Sequence, residues 1–403
     1  MSSPLPTSRI RKFALVWAAG VLGLAIYGFL SPWSHSVYMI YATASRDWWL
    51  RGDIYALPPH NVIGEPYRYS PLFAIAISPF ALLPDGLGNA LWRVVICVTY
   101  AFGLGAWCRQ ALPVPLSRAC IGSIFLFVLP LSMHSMYNAQ ANIVVIGAIL
   151  FALASASTEN WNGVAIWLAA ATLIKGYPIV VAMLLAVFWV RQLLPRYWVA
   201  LLLGLLIPFV TAEPNYVWSQ YRNWFGHLAE SNGLQQERIR SLDHLFVLYA
   251  NPLAPRVWLC VQAAAGLVVL LLCCRYATRF NRKELLLTIL LLSSVWMVLF
   301  GPATETCTYV LVAPAAAWTL VHAFSGRDSR VTQLAFLASF LMMGPLVTDM
   351  AGPTVRNFAN THGCQPIGAI LFLGGVLTLL ERWYRDNLAP GATSQNRPLE
   401  AAA

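Results

Sequence analysis

Apolar segments follow one another from residue 13 to residue 380, and the breaks between them are short and either basic or polar. A helix needs about 20 apolar residues to cross a bilayer. Only 10% of the 403 residues are charged, against about 25% in a soluble domain. Burial in a soluble core cannot account for so little charge over such a length. The pattern predicts an all-α, polytopic integral membrane protein.

The first apolar run, Phe13–Leu30, follows Arg9, Arg11 and Lys12 in the manner of a signal peptide. No small-residue cleavage site follows it, so it reads as an uncleaved anchor. Further spans are expected at 87–108, 118–134, 140–157, 161–174, 178–190, 197–212, 256–274, 285–301, 306–323, 331–348 and 365–380. Several are short, and Pro178, Pro208 and Pro314 interrupt the series, which points to broken or tilted helices around a cavity. The apolar run 71–84 is also short.

The positive-inside rule orients the set. Arg109/Arg118, Arg191/Arg196, Arg275/Arg279/Arg282/Lys283, Arg327/Arg330 and Arg382/Arg385 join the N-terminal cations on the cytoplasmic side, provided that 71–84 is re-entrant or interfacial. That gives about twelve spans with both termini inside. If 71–84 were itself a span, Arg109 and Arg118 would fall outside. The expected organisation is one multi-span domain over 1–386, with long outer loops at 31–70 and 213–255, and a disordered cytoplasmic tail at 387–403.

Five polar islands then face outward. They are residues 65–71, 138–142, 175–178, 301–305 and 349–365. Polar groups at the edge of hydrocarbon are expensive and mark sites or pathways, so five on one face predict a single cavity. The cytoplasmic loops are short, with neither a nucleotide-binding fold nor a Gly-rich phosphate loop. A donor for chemistry on the outer side therefore has to be lipid-linked. The net charge of +10 forms no basic block on a soluble module, which argues against nucleic-acid binding. Among the eight cysteines, Cys97, Cys108, Cys120, Cys260, Cys273 and Cys274 read as small core residues. Cys307 and Cys364 read as outward-facing, which leaves a disulfide between them open.

Several short motifs now line up. The first outer loop carries Tyr38, Tyr41, Ala44, Gly52 and Ile54-Tyr55, and Tyr67-x-Tyr69-x-Pro71 opens an apolar run. Ala90-Leu91-Trp92, Gln140-x-Asn142 and Lys175-x-Tyr177-Pro178 follow in order. Over roughly 15–380 the chain resembles glycosyltransferase family 87, of the GT-C superfamily. Members are similar to polyprenyl-phosphate-mannose-dependent mannosyltransferases. The resemblance implies transfer of a hexose, mannose first, from a polyprenyl phosphate to a lipid or glycan acceptor outside the cytoplasm, in the plasma (inner) membrane. It also implies a catalytic carboxylate early in the first outer loop. Here Ser31 to Tyr38 contains none, so either another residue serves as base or this member is altered or inactive.

An inverting transfer of this kind needs a base for the acceptor hydroxyl, cations or donors for the leaving phosphate, and a groove for the lipid. The outward carboxylates are Asp47, Asp53, Glu65, Glu213, Glu230, Glu237, Asp243, Glu305 and Asp349. Glu305, set between two apolar runs, is the first candidate base; its alternative role is to cap the following helix. Asp47 reads as part of an amphipathic surface helix with Arg46 and Arg51 as neighbours, and Asp53 as a turn residue; both are reserves, as is His35. Arg68 and Lys175 are the phosphate candidates, with snorkelling to headgroups as the alternative. Tyr38, Tyr67, Tyr69, Asn138, Gln140, Asn142, Tyr177 and Tyr309 are candidates for the sugar and lipid groove, although Asn138, Gln140 and Asn142 also suit a cap or interhelical bonding. Arg238, Arg240, Asp243 and His244 could shape an acceptor side, and Asp349, Arg356 and His362 lie in another outer loop. Neither a cofactor nor a metal site is expected, since the carboxylates show no paired ligand spacing. A transporter or flippase, or an inactive scaffold, is the competing reading; the chain shows no internal repeat of the kind transporters carry.

Overall fold

The computed structural model describes residues 7–57, 66–230 and 239–388. Glu65, Glu237, Arg238 and the tail from residue 389, all singled out above, lie outside the described residues. Eighteen α-helices run in chain order among the described residues. The first seven are α1 (Thr7–Leu30), α2 (Tyr38–Trp49), α3 (Pro71–Ala76), α4 (Ser78–Ala81), α5 (Asp85–Gln110), α6 (Arg118–Tyr137) and α7 (Asn142–Ser157). Next come α8 (Trp161–Ile174), α9 (Ile179–Phe188), α10 (Val190–Thr211), α11 (Pro214–Glu230), α12 (Leu242–Tyr249) and α13 (Pro255–Ala277). The series ends with α14 (Arg282–Leu299), α15 (Ala313–His322), α16 (Arg330–Met343), α17 (Gly352–Thr361) and α18 (Cys364–Asp386).

Among the described residues, seven helical stretches are long and apolar enough to cross a membrane, within α1, α5, α6, α10, α13, α16 and α18. The outward faces fit that role. Leu202, Leu203, Leu206 and Val210 of α10, and Leu259, Leu267 and Leu271 of α13, are all exposed. Apolar surface so continuous is foreign to a soluble monomer. By contrast, α14 is apolar almost all round and buried along Leu285–Leu292, as befits a helix at the centre of a bundle.

Every predicted span is helical, but twelve independent crossings do not follow. α7, α8 and α9 have 16, 14 and 10 residues. At ~1.5 Å per residue these reach about 24, 21 and 15 Å, short of the ~30 Å hydrocarbon core. The break expected at 191–196 is absent, because α10 runs through Arg191, Pro195 and Arg196 and the chain turns at Trp189 instead. The run 71–84 breaks at Ile77 into helices of six and four residues, too short to cross.

Glycine brings the central helices together. A Cβ on Gly103 of α5 would stand 2.5 Å from the carbonyl oxygen of Gly147 in α7. The two backbones touch there, as small residues allow in membrane bundles. At the basic end of the bundle, Arg275 pairs with Glu381 at 2.8 Å, Arg282 with Glu159, and Arg382 with Asp328. The polar islands lie at the other end.

Candidate functional site

Four islands are joined by specific bonds. Ser70 donates to the Leu173 carbonyl at 2.5 Å, which pins the 66–71 segment to the last turn of α8. The hydroxyls of Tyr69 and Tyr41 meet at 2.8 Å, and Tyr41 also accepts the Ala141 N–H at 3.3 Å. Tyr177 donates to Asn142 Oδ1 at 2.7 Å. The amide of Asn142 in turn reaches Cys307 Sγ at 3.8 Å, and the Cys307 thiol faces Glu305 Oε2 at 3.4 Å. Ser135 of α6 secures the same turn by donating to the Cys307 carbonyl at 2.7 Å.

Lys175 sits where α8 stops. Its backbone is extended (φ −141°, ψ 135°), since Pro178 begins the next helix and the preceding residues cannot continue the last one. Its ammonium lies 5.4 Å from the Tyr69 ring and 5.9 Å from the Tyr177 ring, within cation–π range. Burial lowers the Lys175 pKa below the ordinary lysine value; Arg68 acts in the same direction, while Cys307 and Glu305 oppose it. Arg68, Cys307 and Glu305 therefore stand around one ammonium. Burial also holds the Tyr69 and Tyr177 phenols well above their ordinary pKa, so both stay neutral.

Glu305 both caps a helix and belongs to the cavity. It shares a capping box with Thr308 at the start of the 3-10 turn Thr306–Leu311, with its N–H on Thr308 Oγ1 at 3.1 Å. Its charge acts on Lys175, Arg240, Tyr41 and His134. Arg240 is fixed by its own backbone, whose N–H meets the Thr304 carbonyl at 2.6 Å and whose carbonyl takes the Tyr309 hydroxyl at 2.8 Å. His244, buried in α12, has its pKa lowered by that burial and by Arg240.

Other candidates fall outside this group. Asp53 accepts the Tyr55 N–H at 3.0 Å and the Asn223 amide at 3.2 Å, as a turn residue does. Asp47 lies near it on α2, where burial first and then Asp53 push its carboxyl up. The neighbours expected for Asp47 turn elsewhere: Arg46 pairs with Asp85 at 2.5 Å, and Arg51 bonds the Trp48 and Thr211 carbonyls. Tyr38 is fully buried against α5 rather than lining a groove, and Gly88 leaves the space for its hydroxyl. Tyr67 is buried too and donates to the Ser70 carbonyl, forming part of the wall behind Tyr69. Asn138 caps α6 by donating to the His134 carbonyl at 2.9 Å, while Gln140 is nearly buried, with its N–H on Ser135 O. His35 is exposed and stacks on Tyr137, away from Lys175. Cys307 and Cys364 are both free thiols, so the disulfide left open is not formed. Among the described residues, no three His, Cys, Asp or Glu side chains gather closely enough to hold a metal ion. An apolar groove runs between α1 and α5, lined by Trp17, Val21, Ala25, Val94, Val98 and Ala101 among others.

The residues that sequence reasoning missed are Cys307 as a link, His134, and Arg93. Arg93 is completely buried in α5. It donates to Asn89 Oδ1, to the Met136 and Tyr137 carbonyls at 3.0 and 2.6 Å, and to the His35 carbonyl at 3.4 Å. A guanidinium here satisfies the Tyr137 carbonyl at the end of α6 and adds to the Ala139 N–H on that of Met136. The signal available was an arginine eight residues into an otherwise apolar span, next to Ala90-Leu91-Trp92.

An all-α multi-pass membrane bundle whose cations, carboxylate and tyrosines meet at one end defines the class. Residues 67–302 match the model of glycosyltransferase family 87, and the chain belongs to that family. It is a membrane glycosyltransferase. No curated protein matches it in sequence. Among solved structures it is similar to ArnT from Cupriavidus metallidurans bound to undecaprenyl phosphate, at 15% identity and a TM-score of 0.43, over 93% of this chain and 78% of that one. The apo state of the same protein gives 14% identity and a TM-score of 0.44, over 93% and 77%.

Proposed function

We propose that the chain transfers a hexose, mannose first among candidates, from a polyprenyl-phosphate donor to a lipid or glycan acceptor on the extracytoplasmic face of the plasma membrane. The observation that carries this reading is the Lys175 ammonium beside the Tyr69 and Tyr177 rings, within the electrostatic reach of Glu305 and Arg68, with Glu305 also acting on Arg240. Cations in the reach of one carboxylate suit a phosphate-bearing donor, and Glu305 offsets part of the charge of Lys175 and Arg240.

The acceptor hydroxyl attacks the anomeric carbon, and the bond from that carbon to the phosphate oxygen breaks with inversion. Glu305 takes the hydroxyl proton as general base. Lys175 and Arg68 stabilise the phosphate as it departs with the polyprenyl chain. Tyr69 and Tyr177 wall the donor, and Asn142 and Cys307 hold Glu305 in place. Asp47, Asp53 and His35 are reserve bases only, because their bonds lead away from Lys175.

The test uses purified protein in liposomes with polyprenyl-phosphate mannose and a crude acceptor extract, comparing the native chain with Glu305→Gln. Transfer by the native chain and its loss in the variant, with donor binding retained, supports the assignment. Equal transfer by both moves the base elsewhere. A folded protein that uses neither this donor nor a panel of other lipid-phosphate sugars overturns the proposal.

A further inference from the structure

Glu305 acts on two groups of side chains, and only the Lys175 group carries phosphate chemistry. The second group lies where α1 and α6 end. There Tyr137 packs against two rings: Tyr27 stacks on it at 5.0 Å and 28°, and His35 lies tilted beside it at 5.2 Å and 36°. The Tyr27 hydroxyl donates to Ser34 at 3.0 Å and accepts from Tyr137 at 3.1 Å. His35 is exposed, and both tyrosines are half-exposed. His134, one turn before the end of α6, is exposed beside them and feels the charges of Glu305, Asp349, His35 and Arg356. Asp349 also acts on Tyr137 and is paired with Arg356 of α17.

This shelf is fixed from beneath. Arg93 holds the carbonyls of Tyr137 and His35 while its guanidinium lies 5.6 Å from the Tyr27 ring. His35 adopts a left-handed φ of 46°, a conformation that costs a non-glycine residue energy and persists only where its surroundings impose it. A cluster of aromatic rings with hydroxyls at its edge, flanked by a carboxylate, a guanidinium and an imidazole, matches a carbohydrate. The C–H face of a pyranose or cyclic polyol packs on a ring, and its hydroxyls find donors and acceptors at the rim.

We propose that this shelf is the acceptor subsite and that the acceptor presents a sugar or polyol ring to it. The proposal rests on the glycosyltransferase reading above. The acceptor hydroxyl then approaches Glu305 from the His134 side and the donor phosphate from the Lys175 side. The proton passes to Glu305, the acceptor oxygen bonds the anomeric carbon, and polyprenyl phosphate leaves.

The experiment is saturation-transfer NMR on the full chain in nanodiscs, with methyl α-mannoside and methyl α-glucoside as probes and their octyl glycosides as membrane-anchored counterparts. The native chain is expected to bind at least one methyl glycoside, with affinity about tenfold lower in Tyr137→Ala, about 1.4 kcal/mol, and retained in Tyr137→Phe. Tighter binding of the octyl form assigns a lipid-linked acceptor; equal binding assigns a free glycan. In the transfer assay, Tyr137→Ala should raise the acceptor KM about tenfold with the donor Kd unchanged. Where Tyr137→Ala fails to fold, Asp349→Asn, on an exposed side chain, carries the same test. Absence of saccharide binding by the native chain, or equal binding by the variants, overturns the subsite. Saccharide binding without transfer from any lipid-phosphate sugar overturns the proposed function and leaves the carbohydrate site standing.

Discussion

The Cys307 thiol stands 3.4 Å from the Glu305 carboxylate and 3.8 Å from the Asn142 amide, so one sulfur links the start of α7 to the proposed base. If that link positions Glu305, Cys307→Ser should keep most of the transfer rate, while Cys307→Val should lower kcat about tenfold with the donor Kd held. Alkylation offers a second check: a small thiol reagent should inactivate the protein, and saturating donor should slow the reaction. Equal rates of inactivation with and without donor would separate Cys307 from the donor cavity.

Glu305→Gln removes the proton acceptor and keeps the shape. Transfer should fall by about 10²-fold or more, measured as initial rate at saturating donor. Asp47→Asn and Asp53→Asn, whose contacts lie beside Tyr55 and Asn223, should stay within about threefold of the native rate, the range of surface changes.

Lys175 sets a pH dependence. Its pKa is lowered by burial, so the ammonium loses its proton below the ordinary lysine value of about 10.4. Only the charged form attracts phosphate. Donor affinity should therefore weaken as pH rises, starting below the range of a solvent-exposed lysine. Lys175→Arg should move that alkaline limb upward, and Lys175→Ala should abolish it and raise the donor Kd by about tenfold or more.

Gly103 tests the bundle itself. Its Cβ position is 2.5 Å from the Gly147 carbonyl, so Gly103→Leu forces α5 from α7. A loss of the monodisperse peak in detergent chromatography is expected, with a cost above about 2 kcal/mol. The same change at Gly20, which meets nothing within 4 Å, should be silent.

Much of this architecture was legible in the chain. Apolar length placed the long apolar helices but not α11, α12 and α17, which lie in the segments read as outer loops; the islands named Lys175, Tyr177, Asn142 and Glu305, each a polar residue that hydrocarbon would otherwise exclude. What the sequence concealed were contacts between islands. Cys307 reads as outward-facing, but nothing local ties its thiol to Glu305 and Asn142, and Arg240 looks like any other loop cation until Thr304 and Tyr309 hold its backbone. Asp47 and Asp53 read as a surface-helix and a turn residue, with a reserve role as base, because loop position alone does not give side-chain direction; the bonds of Asp53 to Tyr55 and Asn223 fit the turn. The α9–α10 boundary was misplaced because Arg191 and Arg196 look like a loop, whereas a helix end tolerates both.

Arg93 should matter to stability more than any surface ion pair. Arg93→Met leaves the Tyr137 carbonyl without its donor, while Met136 keeps the Ala139 N–H; the unmet carbonyl costs about 1–3 kcal/mol, to be read as a lower Tm in nanodiscs. Arg93→Lys, with fewer donors and no fork, should recover only part of it.

The same residue imposes an order on synthesis. α5 leaves the ribosome before α6, yet the carbonyls that receive Arg93 lie at the far end of α6. A lone arginine entering the bilayer is penalised until its acceptors arrive. α5 and α6 must therefore enter the membrane as a pair, and the insertion machinery has to shelter a cation for the roughly forty codons between Arg93 and Met136.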